Sequence, residues 1–77
     1  MIGKYYLFEK TDYAKAIELF KLNTINYPDS YKAFDFLAKA YKTSGDKDNA
    51  ILNFKISLKL NPNNNDTQKI LLELESK

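Results

Sequence analysis

The residues available for chemistry are few. The chain has no histidine and no cysteine, so its ionisable side chains are carboxylates, lysines and phenols. Nucleophilic catalysis usually relies on a thiolate or on an imidazole base, and neither residue is present. Zinc sites built from thiolates and imidazoles are excluded for the same reason. Asp46 and Asp48 come nearest to a paired carboxylate. Their placement suits a helix start better, with Asp46 as the cap and Asp48 as a first-turn acid facing the positive end of the helix dipole. The tract Asn63-Asn64-Asn65-Asp66 supplies oxygen atoms but lacks the alternating acids and closing Glu of a calcium loop, so it reads as a polar turn. With only Gly3 and Gly45, no glycine-rich phosphate loop exists. No catalytic residue, metal ligand or cofactor is expected.

Charge narrows the partners further. Twelve lysines against ten acids leave a formal net charge of +2, and none of the cations is arginine. Nucleic-acid binders carry a strong basic patch, and arginine gives the bidentate contacts to phosphate and guanine, so a nucleic-acid partner is not expected. No apolar run approaches the roughly 18 residues that suggest a membrane span, and no membrane partner is expected. The opening Met1-Ile2-Gly3-Lys4 is not a secretory signal.

The elements that position these residues are helices. The chain is 44% hydrophobic, with six Tyr and five Phe but only two Gly and two Pro, so long stretches are free to be helical. Tyr31, Phe34, Leu37, Ala38 and Tyr41 recur at helical spacing and share one face. Ala50, Ile51, Phe54 and Leu58 do the same further on. Gly45 can adopt the left-handed conformation that ends a helix, and Pro62 cannot extend one. The sequence predicts a shortened helix over 3–10, then helices over 12–26, 30–43, 46–60 and 66–75.

Sliding the chain by 34 residues aligns Asp12 with Asp46, Ala16 with Ala50, Ile17 with Ile51, Phe20 with Phe54, Lys21 with Lys55 and Pro28 with Pro62. Self-similarity at a fixed period marks a repeat architecture. The period, together with Phe34, Leu37, Ala38 and Tyr41, then Ala50, Phe54 and Pro62, resembles the tetratricopeptide repeat. Gly3 and Tyr6 are similar to its small and Tyr positions, one residue out of register. The resemblance implies an all-α fold: a short solenoid of antiparallel helix pairs closed by a capping helix. Residues 1–28 are then a truncated first repeat, 29–62 a complete one, and 63–77 the cap, forming one domain.

In that family the first helix of each repeat lines a concave groove for a peptide. The resemblance maps this groove onto Lys32, Asp35, Phe36, Lys39, Lys42 and Thr43, a mildly basic surface with one aromatic contact. The paired Lys and Asn clamp of chaperone-tail-binding members is not matched here. The alternative reading of the same residues is a solvated helix face with Phe36 packed on its neighbour helix. A second surface is read from Leu52, Ile56 and Leu60, spaced four apart. Leu60 is expected to meet the last helix, leaving Leu22, Leu52 and Ile56 as an outer apolar strip, either an association site or scattered surface apolarity.

The function implied is a non-catalytic protein-interaction or scaffold module. The run over residues 16–64 is also similar to short repeat tails of bacterial hydrolases, including serine esterases and beta-lactamase-like proteins. That likeness implies a structural or dimerising appendage of a larger protein. The expected partners are a protein or an acidic peptide, a neighbouring domain of the same chain, or a second copy. The expected compartment is the cytoplasm for a complete chain and the periplasm for the tail of an exported hydrolase.

Overall fold

The computed structural model describes the backbone of residues 2–76 and the side chains of residues 13–76. Four helices follow one another: α1 (Ile2–Asn26), α2 (Tyr31–Ser44), α3 (Lys47–Leu60) and α4 (Asn65–Glu75). Each packs on the next in the chain. The fold is all-helical, and this packing is consistent with a helical repeat.

The connections follow from their residues. Pro28 lies just past α1, and Ser30 caps α2 by accepting a 3.3 Å hydrogen bond from the Ala33 amide. At the end of α2, Gly45 has φ 96°; its amide bonds to the Lys42 carbonyl and the Asp46 amide to the Tyr41 carbonyl. That pair of bonds satisfies carbonyls left open at a helix end and requires the left-handed conformation. Asp46 then caps α3, accepting from the Asn49 amide at 3.2 Å and the Asn49 side chain at 2.7 Å. Asn64 caps α4 in the same way through the Thr67 amide.

One expectation fails. The predicted break between residues 10 and 12 is absent, and α1 is a single helix of 25 residues. Asp12 repeats Asp46, but the residue before it is Thr11, where the later turn has Gly45. A β-branched residue strongly disfavours positive φ, so this place lacks the device that turns the chain. Without a glycine or proline, the helix continues. The side chains of Gly3 and Tyr6 lie outside the described residues.

The core lies in the seam between α2 and α3. Ala38, Ala50 and Phe54 are fully buried, with Leu37 and Tyr41 beside them. Ile17 and Phe20 of α1 and Ile70, Leu71 and Leu74 of α4 pack against this cluster from the two sides. Phe34, Ile51 and Leu58 are half-buried. The Ser57 hydroxyl donates 3.1 Å to the Tyr31 carbonyl, joining the end of α3 to the start of α2, as an antiparallel pair requires. The molecule measures 43 × 32 × 17 Å. Its thinnest dimension is below two helix diameters of about 10–12 Å each. Little can be covered from every side in so thin a stack.

A Cβ at Gly45 would meet nothing within 4 Å, so only its backbone conformation resists substitution. Gly45→Ala is expected to lower unfolding free energy by about 1–2 kcal/mol in urea denaturation. D-alanine at position 45, made by chemical synthesis, should be tolerated. Equal losses from both forms of alanine would show that space, rather than φ, is limiting.

Candidate functional site

The surface singled out in the sequence is the side of α2 turned away from the α3 seam. Lys32, Phe36, Lys39, Lys42 and Thr43 are exposed there. Periodicity explains the arrangement, because positions 32, 36, 39 and 43 advance by four, three and four residues and share a face. Lys42 stands in the last turn, where a cation is favoured by the negative helix end. The Thr43 hydroxyl bonds back to the Lys39 carbonyl at 2.9 Å.

Asp35 departs from the expected surface. It is only 9% exposed. One carboxylate oxygen accepts a 2.7 Å hydrogen bond from the buried Thr67 hydroxyl of α4, and the other faces the Lys39 ammonium at 3.3 Å. A carboxylate taken from water must be paired or hydrogen-bonded, and this one is both. Its role is to tie α2 to α4, leaving it unavailable to a ligand. No buried side-chain nitrogen or oxygen among the described residues lacks a partner.

Phe36 stacks on Phe20 of α1, with ring centroids 5.9 Å apart and planes 25° apart, yet remains 50% exposed. Packing on the neighbour helix and outward presentation therefore coexist. The face consists of Lys32 and Lys42, which have no ion-pair partner among the described residues, a third lysine partly neutralised by Asp35, and an aromatic edge between them. It can attract an anionic chain and offer an apolar contact.

On the outer side, Leu22 and Leu52 are 52% and 56% exposed, while Ile56 is half-buried. Leu52 and Ile56 are one turn apart on α3. Leu22 stands on α1, which packs on α2, so the three are not carried by one packed helix pair. Leu60, expected against the last helix, is 39% exposed. Leu19 and Ile25, at 63% and 72%, are further exposed apolar residues on α1 that the sequence reading did not single out. Their spacing from Leu22, three residues either way, was the available signal. Compared with known proteins, the chain matches no family model, and no curated protein is significantly similar to it.

Removing one partner of a buried polar pair strands the other. Asp35→Ala leaves the Thr67 hydroxyl, 1% exposed, without its acceptor. The expected loss is about 1–3 kcal/mol of unfolding free energy. A cycle with Thr67→Val should yield a coupling energy of about 0.5–3 kcal/mol. Strict additivity would mean that the two residues do not support each other.

Proposed function

We propose that the chain is a non-catalytic protein-binding module of tetratricopeptide type, receiving an acidic peptide segment along the exposed face of α2. The observation that carries this reading is the withdrawal of Asp35 into its bond with Thr67. With that negative charge buried, the residues left outward are Lys32, Phe36, Lys39, Lys42 and Thr43. Their shared chemistry is cationic, with one aromatic anchor. Lysine ammoniums are point charges on flexible stems, suited to carboxylates arriving at varied angles. Phe36, held by Phe20, presents its ring with little freedom left to lose.

The absence of His and Cys supports a role in binding over one in catalysis. A second reading, a structural or dimerising appendage of a larger protein such as a bacterial hydrolase, is favoured by the exposed Leu22 and Leu52.

Titration of an acidic peptide by calorimetry tests the first reading. Lys32→Glu/Lys42→Glu should weaken binding about tenfold, as reversal of two rim charges implies. Affinity should also fall as salt shortens the screening length below about 10 Å. Unchanged affinity in the double variant would remove these lysines from the site.

A further inference from the structure

The outward side of α1 is more apolar than its repeat position requires. Tyr13, Ala16, Ile17, Phe20 and Thr24 are half-buried and mark the side turned to the rest of the chain. Leu22 stands two residues from both Phe20 and Thr24, about 200° round the helix from each, with Leu19 and Ile25 a turn to either side. All three are exposed, and none takes part in the core cluster. The positions 34 residues later, on α3, hold Asn53, Ile56 and Lys59. Asn53 is 8% exposed and donates to the Asn49 carbonyl, whereas Leu19 is 63% exposed. One repeat position thus carries a polar residue under cover on α3 and a leucine in water on α1.

The three residues are complementary to themselves. When the helix lies antiparallel on a second copy, with Leu22 on the two-fold axis, Leu22 meets Leu22 and Leu19 meets Ile25. The same register brings Lys15 opposite Asp29, just past the helix end, and Glu18 opposite the uncharged Asn26. Lys15 and Asp29 are both exposed. Parallel pairing would instead set Lys15 on Lys15 and Glu18 on Glu18, and like charges across an interface are costly. A slip of one turn leaves Leu19 or Ile25 without an outward apolar partner. Apolar match and charge match therefore select one arrangement.

We infer that two copies of this chain pair through the outward sides of antiparallel α1 helices, with Leu22 on the two-fold axis and Lys15 of each copy opposite Asp29 of the other. The patch is the same on both copies, so the Leu19–Ile25 and Lys15–Asp29 contacts each occur twice. The pairing is separate from peptide binding on α2, and it gives the dimerising reading a partner and a contact.

Sedimentation and light scattering of the full chain, from micromolar to millimolar concentration, test this inference. A seam from position 15 to position 29 is about 22 Å long at 1.5 Å per residue, at the low end of specific interfaces, so association is expected within that range. The limiting mass should be twice the 8.9 kDa of one chain. Leu22→Asp sets two carboxylates against each other on the axis and should raise the dimer Kd about tenfold or more. Lys15→Asp should also raise it, and Lys15→Asp/Asp29→Lys should return it to the original value. Within one chain the helix from Lys15 to Asn26 alone covers about 16 Å, beyond the screening length of about 10 Å, so this rescue reports contact between chains. A chain monomeric throughout the range would overturn the inference. So would a dimer that withstands Leu22→Asp; if Leu52→Asp/Leu60→Asp dissolves it instead, the dimerising reading stands with its contact on α3. A dimer that the charge swap fails to restore would overturn the register, and with it the inference.

Discussion

The close approach of α2 and α3 governs this molecule. It depends on two alanines, Ala38 and Ala50, both fully buried, with Phe54 filling the space beside them. Small residues let helix backbones come together, and an aromatic ring beside them buries a large apolar area. A chain of 77 residues buries only part of its unfolded surface and has limited stability to distribute. Placing the largest fully buried side chain, Phe54, at the central seam concentrates that stability where neighbouring helices can use it. α1 and α4 add to the cluster from either side, and among the described residues neither encloses a core of its own.

Polar groups refine what this apolar seam begins. Ser57 bonds across α2–α3 to the Tyr31 carbonyl, and Asn53 bonds within α3 to the Asn49 carbonyl. Asp35 and Thr67 join α2 to α4, residues 32 positions apart in sequence. A satisfied buried network adds modest net stability, but an unsatisfied one costs much more, so such pairs favour one arrangement over shifted alternatives. The exposed Lys55–Glu75 pair, 3.2 Å apart between α3 and α4, adds little because solvent screens it.

This use of Asp35 links the core to the proposed binding face. The carboxylate that fixes α4 is thereby removed from the surface, and the face it leaves is cationic. In α1, Ala16 and Phe20 remain half-buried, although the residues 34 positions later, Ala50 and Phe54, are fully buried.

Much of this was legible in the residues. Helical spacing and the 34-residue offset located the α2–α3 pair and its Ala and Phe positions. The turn between α2 and α3 was equally readable, since Gly45 and Asp46 each act on backbone groups a few residues away. The continuity of α1 was present as well, in Thr11 standing where the later turn has Gly45, but the Asp12 match outweighed it. Other features could not be read in this way. Asp35, four residues before Lys39, has the spacing of a surface ion pair, and nothing local reveals that Thr67 draws it inward. Nor does sequence distinguish half-buried Phe20 from Phe54, which is fully buried on a helix packed against both α2 and α4. Periodicity and capping are fixed within a few residues of the chain; burial depends on which helices arrive from elsewhere, and only the packed structure decides that.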